Sequence, residues 1–291
     1  MHKTSEWLFS YNSEAAPDDK KLTSSKAQTI SITGGKGGVG KTSISLKLSR
    51  ELVDQGYKVL LIDCDTNLSN TAIKLGLPIE NKFYSLVTAQ SSFDDCLYKD
   101  GRFHLLSASN GCLELFDSSL KIEEIIIDIL NEHENEYDYV LLDCPAGLQK
   151  ECLVLNAYCD KRIMVVNPDR SSITDTYSLI KILRNKYGVT ENHLIVNKYE
   201  TYSQFNKVVS TISETVESFL GGRTVLLGGI ERLNTQRGKF DSLFFAKGGK
   251  NDLHKNILKV VKKLTDELST PEKAANPIFA SQKRVLEQEV R

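Results

Sequence analysis

An α/β fold, with a mostly parallel central sheet flanked by helices on both faces, is what this sequence predicts. Three observations carry that expectation. Short runs rich in Val, Ile and Leu recur along the chain, as strands buried on both faces require. Helical patterns lie between most of these runs, the signature of strand–helix–strand units on a parallel sheet. Near residue 29, one such strand leads straight into a glycine-rich loop that opens a helix.

Taken in order, the first strand is expected over 29–33 and the first helix over 43–55, where Ile44, Leu46 and Leu48 supply apolar positions. Further strands are expected over 58–62, 103–108, 139–142, 162–166, 193–196 and 224–227, and further helices over 122–132, 174–186 and 205–219. From 252 to 268, Leu253, Ile257, Val260, Val261, Leu264 and Leu268 share one helical face, and the lysines lie elsewhere on the surface. That pattern reads as a last core-covering helix, with a membrane-surface helix as the alternative. Residues 1–27 read as a polar arm interrupted by Trp7, Leu8, Phe9 and Tyr11. One α/β domain is expected over 28–269 and a tail over 270–291. The tail opens at Pro271 and carries Ile278, Phe279, Val285 and Leu286 beside Lys283 and Arg284, diluted by Glu287 and Glu289.

Composition excludes several classes. A 40% apolar content over 291 residues allows one sizeable α/β domain or two small ones. A net charge of −1 argues against a chain that binds nucleic acid by overall charge. No apolar run approaches the roughly 18–20 residues a membrane span needs, and the N-terminus has no apolar core of a signal peptide. The six cysteines form no C-x-x-C pair, which disfavours an iron–sulfur carrier. Cys64 and Cys144 stand at expected strand ends. Cys96, Cys112, Cys152 and Cys159 read as ordinary thiols of a reducing cytoplasm.

Residues 34–42 read Gly-Gly-Lys-Gly-Gly-Val-Gly-Lys-Thr. Gly35 to Gly40-Lys41-Thr42 fits G-x-x-x-x-G-K-[ST] in full, in the strand–loop–helix context a phosphate-binding loop requires. Glycines at Gly35, Gly37, Gly38 and Gly40 let backbone N–H groups, Val39's among them, turn inward around phosphate oxygens. The N-terminus of the following helix, through Thr42 and Ser43, adds unpaired N–H groups and a positive dipole end. Lys41 can reach the β- and γ-phosphates, and the Thr42 hydroxyl can ligate Mg²⁺. The same stretch also satisfies G-x-G-x-x-G, with Asp63 near the distance of a ribose contact, so a dinucleotide loop is the alternative. A Lys-Thr pair has no role in that alternative. A second acidic strand end, Asp143 after 139–142, supplies what Mg²⁺ binding would use in a P-loop ATPase.

Lys36 sits inside the loop, where an ordinary phosphate loop does not ask for a lysine; its plain reading is a solvated loop residue. Lys-Gly-Gly-x-Gly-Lys-Thr resembles the deviant Walker A motif of the MinD/ParA family of P-loop ATPases. The resemblance implies that Lys36 reaches across a dimer interface to the partner's nucleotide. Asp143-Cys144-Pro145-Ala146-Gly147 is similar to the family's D-x-P-A-G switch II, which implies switch and dimer roles for Pro145 and Gly147. The run 63–70 resembles switch I, D-x-D-x-x-L-x-N. It implies that Asp63 lies near the Mg²⁺ shell, that Asp65 orients the attacking water, and that Asn70 belongs to the switch and the dimer face. Taken alone, 65–67 would also suit a surface turn. Asn197-Lys198 falls where the family places an adenine-contacting asparagine. Gly228-Gly229-Ile230-Glu231-Arg232 falls at the family's G-x-I-P-x-D loop without its proline. The absence of an Asn-Lys-x-Asp motif favours ATP over GTP.

The run 165–181, with Asn167-Pro168-Asp169-Arg170-Ser171-Ser172-Ile173-Thr174-Asp175, is similar to the FlhG branch, which governs flagellar number and placement; its plain reading is a scaffold helix. The D-Q-A-x-x-L-R segment by which that branch activates a partner GTPase has no match in 1–26. The resemblance as a whole implies an ATPase using ATP and Mg²⁺, closing as a homodimer with ATP and opening on hydrolysis. It would act on a protein partner of flagellar or other positioning machinery. The expected location is cytoplasmic, peripheral at the inner face of the membrane if the tail makes weak contact there. Two alternatives stand beside it: a ParA-type partition ATPase with Lys181, Arg184, Lys186 and Lys198 as its basic surface, and a nucleotide-binding scaffold with negligible turnover. Nucleic acid is not the expected partner.

Overall fold

The computed structural model describes residues 26–65, 71–78, 82–107, 121–233 and 252–268. The aromatic cluster of the N-terminal arm, Asn70, Cys112 and the tail 270–291 lie outside the described residues, as do the side chains of Leu253 and Leu268. In chain order the elements are β1 (Gln28–Thr33), α1 (Lys41–Asp54), β2 (Val59–Asp63), α2 (Thr71–Lys74), α3 (Lys82–Val87), α4 (Phe93–Cys96), β3 (Tyr98–Asp100) and β4 (Phe103–Leu106). There follow α5 (Ile122–Glu132), β5 (Tyr139–Asp143), α6 (Lys150–Tyr158), β6 (Lys161–Val166), α7 (Arg170–Tyr187), β7 (Glu191–Tyr199), α8 (Tyr202–Leu220), β8 (Arg223–Glu231) and α9 (Asp252–Leu268). The strands form one eight-stranded sheet in the order β3-β4-β2-β5-β1-β6-β7-β8. The β3–β4 pairing is antiparallel; β2–β4, β2–β5, β1–β6, β6–β7 and β7–β8 are parallel.

The chain divides into two compact units. The first is built on residues 42–144 with the start of β1. In it, every residue of β2 and β5 is buried, and the two strands pair in register from Val59↔Tyr139 to Asp63↔Asp143. Side chains alternate across a strand, so full burial means that both faces are covered. Each apolar side chain so buried contributes about 1.5–3 kcal/mol. Helix α5 has the bounds its periodicity predicts and buries Ile126, Ile127, Ile129 and Leu130. The elements α2, α3, α4 and β3 escape sequence reading because runs of three to six residues carry too little periodicity.

Of the described residues, the second unit is built on 30–41, 145–233 and 252–268. Its core joins Met164 and Val166 of β6, Leu179, Ile180 and Leu183 of α7, Leu194 and Val196 of β7, and Val208, Ile212 and Val216 of α8. Helix α7 begins at Arg170, earlier than the apolar pattern predicts, because the Asp169 side chain accepts from the Ser172 N–H and caps it. It ends at Gly188, whose φ of 68° lets its N–H return to the last carbonyls. Helix α6 was not expected: it is nine residues long and buries Cys152, Leu153, Val154, Leu155, Asn156 and Tyr158, so no apolar stripe marks it. Helix α9 buries Ile257, Val260, Val261 and Leu264 completely, as a core-covering helix does. One expectation is corrected: residues 228–231 continue strand β8 rather than forming a loop, and the Arg232 N–H donates to the Tyr199 carbonyl. Glu231, standing where the family motif has proline, is the register partner of Tyr199.

Candidate functional site

The phosphate loop leaves β1 at Thr33 and opens α1 at Lys41. Two of its glycines are required by geometry. A Cβ on Gly35 would lie 2.3 Å from the Asp175 backbone carbon. Gly40 has φ of +107°, and a Cβ there would lie 2.4 Å from the Asn197 Nδ2. The loop's own carbonyls are held from the end of β7: the Asn197 amide donates to the Val39 carbonyl at 2.7 Å and the Lys198 ammonium to the Gly38 carbonyl at 2.7 Å. Carbonyls held on one side suit a loop whose N–H groups serve an anion on the other, the polarity of an anion cradle. Lys198 achieves its reach through a register shift between Asn197 and Tyr199, where it adopts φ of 58°. A bulge of this kind re-aims one side chain at a local cost of about 1–3 kcal/mol.

Gly40→Ala is expected to lower stability by about 2 kcal/mol through its left-handed φ and the clash with Asn197, and to weaken nucleotide binding with it. Thermal unfolding and calorimetry check this; a variant with wild-type Tm and affinity would contradict the loop geometry.

Lys36, also in this unit, is held by its own chain. Its ammonium lies 3.2 Å from the Asp169 carboxylate and donates to the Ser171 hydroxyl at 2.6 Å. Burial pushes the Asp169 carboxyl up, but hydrogen bonds from the Ser172 N–H, the Ser171 hydroxyl and Lys36 outweigh it and hold the group below the usual carboxylate range. A carboxyl lowered in the folded protein contributes stability above its unfolded value and loses it as pH falls, so acid would release Lys36. The pair is nearly half exposed on both sides, which limits its worth to about 0–1 kcal/mol.

In the first unit, Asp63 and Asp143 end adjacent parallel strands and are register partners. Both are buried, at 2% and 3% exposure. Two buried carboxylates one strand spacing apart, about 4.8 Å, repel unless positive charge stands by them. That is the donor chemistry of a hard cation such as Mg²⁺. The Ser45 hydroxyl on α1, one turn past Lys41, donates to Asp143 Oδ1 at 3.0 Å. Asp63 grips both ends of the segment that follows it: Oδ1 accepts from the Asp65 N–H at 3.1 Å and Oδ2 from the Thr71 N–H at 3.4 Å. Asp65, whose side chain is half-buried, is thereby held by its backbone.

Among the expected site residues, the structure gathers Gly35–Lys41 and Asn197 in the second unit, and Asp63, Asp65 and Asp143 in the first. Thr42 and Ser43, both half-buried, belong to the first unit and follow Lys41 directly. Pro145 and Gly147 start the turn after β5; Gly147 has φ of +110°. Asn70 lies outside the described residues. The Asn197 amide nitrogen serves the loop carbonyl. Sequence reading missed Ser45 as the partner of Asp143, Lys198 as a brace on the loop, and Asp169 with Ser171 as the holders of Lys36. Only the last had a visible signal, in the capping pattern Asp169-x-x-Ser172.

Comparison with known proteins bears on the same segments. The family profile described as an AAA domain matches residues 27–196. The septum site-determining protein MinD of Bacillus subtilis (strain 168) is 32% identical over 194 residues, 65% of this chain and 72% of that protein. The antiactivator FleN of Pseudomonas aeruginosa is 27% identical over 194 residues, 66% of this chain and 69% of that protein. Among solved structures, the septum site-determining protein MinD of Pyrococcus horikoshii OT3, complexed with Mg-ADP, gives a TM-score of 0.68 at 22% identity, covering 84% of this chain and 98% of that one. At that identity the likeness is one of fold.

Proposed function

This chain belongs to the MinD/ParA family of P-loop ATPases, and from that premise we propose that it is an ATP-driven dimerisation switch that hydrolyses ATP to control the placement or number of a cellular structure. The observation that carries the reading is the phosphate loop, with Gly35 and Gly40 where no side chain fits and with its carbonyls braced by Asn197 and Lys198.

Residues 35–43 would hold the phosphates, with Lys41 on the β- and γ-phosphates. Thr42, and Asp63 and Asp143 through water, would hold Mg²⁺, which when bound neutralises charge on the phosphates. Asp65 orients and polarises the attacking water from a turn fixed by Asp63. Phosphoryl transfer asks for positioned water and positive charge rather than a strong base. Lys36 leaves Asp169 and Ser171 to meet the partner's phosphates, and the weak exposed ion pair makes that transfer inexpensive. Pro145 and Gly147 carry the switch that senses the γ-phosphate, and Asn70 completes the dimer face. Asn197 is the residue proposed to meet the base.

The domain so defined spans 28–269, with the arm and the tail as separate segments. Flagellar number and placement is the role proposed, supported by the 165–181 run and by the likeness to FleN. The tail is assigned weak membrane contact at most. No described helix is long and apolar enough to cross a membrane. The test is phosphate release by the full chain with Mg·ATP, beside a form lacking 270–291. Turnover in both, faster than with GTP, is expected. Binding without turnover would indicate a scaffold, and salt-sensitive DNA retention with ATP would favour a partition role.

A further inference from the structure

A buried polar chain runs from the root of the phosphate loop to the start of the switch turn. Asn156 on α6 is fully buried. Its Nδ2 lies 3.3 Å from the Thr33 hydroxyl, 3.2 Å from the Cys152 Sγ and 2.7 Å from the Cys152 carbonyl. The Cys152 thiol donates in turn to the Pro145 carbonyl at 3.4 Å. Thr33 is the last residue of β1, immediately before Gly34, and it too is fully buried. All four residues belong to the second unit. The Asn156 Oδ1 has no partner among the described residues. An amide with its oxygen unsatisfied is poor core filling, so its presence is explained by what its nitrogen holds.

We infer that Asn156, acting through Cys152, is a positioning residue that fixes the near end of the switch turn at Pro145 and ties it to Thr33 beneath the phosphate loop. The freedom of the turn then begins beyond the anchor. Gly147 has the positive φ of a hinge, Leu148 is 44% exposed, and Gln149 is exposed before α6 starts at Lys150. The two ends differ for a reason: Pro145 has no N–H to donate, so its carbonyl is the one backbone group by which the turn can be held there. A switch anchored at one end and hinged two residues later moves as a short arm, and its resting position is set from the same strand that positions the phosphates.

This rests on the ATPase reading for its kinetic effect and on geometry alone for its exchange effect. Amide exchange is measured in the full chain over 146–149 and over α6. Cys152→Ala removes the thiol and leaves Asn156 on Thr33 and on the Cys152 main chain. It is expected to speed exchange over 146–149 about fivefold, with α6 unchanged. Cys152→Ser, which keeps a donor at the same place, restores most of the protection. In turnover, Cys152→Ala is expected to lower kcat about threefold to tenfold with KM within about twofold, and serine to recover it. Asn156→Leu, checked for folding by thermal unfolding, is expected to match Cys152→Ala over 146–149. Unchanged exchange over 146–149 in Cys152→Ala, a serine variant no better than alanine, or exchange that rises equally along α6 would overturn the inference. A wild-type protein that does not turn over ATP would refute the ATPase reading, and the exchange result would still decide this one.

Discussion

Lys41→Ala is expected to abolish measurable Mg·ATP binding in calorimetry while the protein stays folded. Lys41 is the first residue of α1, where the loop's N–H groups and the helix dipole converge. Its ammonium is the one full positive charge the motif assigns to the β- and γ-phosphates within a protomer. Charge-assisted contacts to phosphate contribute about 1.5–3 kcal/mol each, so losing two of them weakens binding by a factor of a hundred or more. Alanine is a good helix former, so the fold should bear the change. Wild-type affinity in a folded Lys41→Ala protein would refute the assignment of the site.

Asp65→Ala separates binding from chemistry. Asp63 holds the turn at residue 65 through the backbone N–H, which alanine keeps. The substitution should therefore remove the carboxylate and leave the turn in place. Hydrolysis is expected to fall on the order of a hundredfold or more, with ATP affinity little changed. The variant should then accumulate in its ATP-bound form. Stopped-assay phosphate release beside equilibrium binding checks this. A parallel loss of affinity would mean that Asp65 serves the ground state instead.

The parts of the fold legible in the sequence are those whose signals are local and chemical. The loop 35–42 needs its residues at fixed spacing, and the structure finds Gly35 and Gly40 in positions that admit no other residue. Asp63 and Asp143 are legible through the motifs that follow their strands, because an apolar strand closed by a carboxylate is common by itself. Helix α5 keeps its predicted ends because its apolar face is regular. What stayed hidden depends on tertiary context. Helix α6 is buried nearly all round and has no stripe to read. Lys198 reaches Gly38 only because a bulge turns it there, and nothing in Asn197-Lys198-Tyr199 announces a bulge. The bond from Ser45 to Asp143 joins residues 98 positions apart. Strand β8 runs past its apolar core to Glu231, whereas sequence periodicity stops at Leu227.

The central claim, that ATP closes two copies of this chain across Lys36, is tested most directly by light scattering with Mg·ATP. The wild-type protein and Asp65→Ala are expected to double in mass with ATP and not with ADP. Lys36→Ala should bind nucleotide and remain a monomer, because the charge that offsets repulsion between facing phosphates is gone. A Lys36→Ala protein that dimerises as the wild type does, or a wild-type protein that stays monomeric with ATP bound, would contradict it.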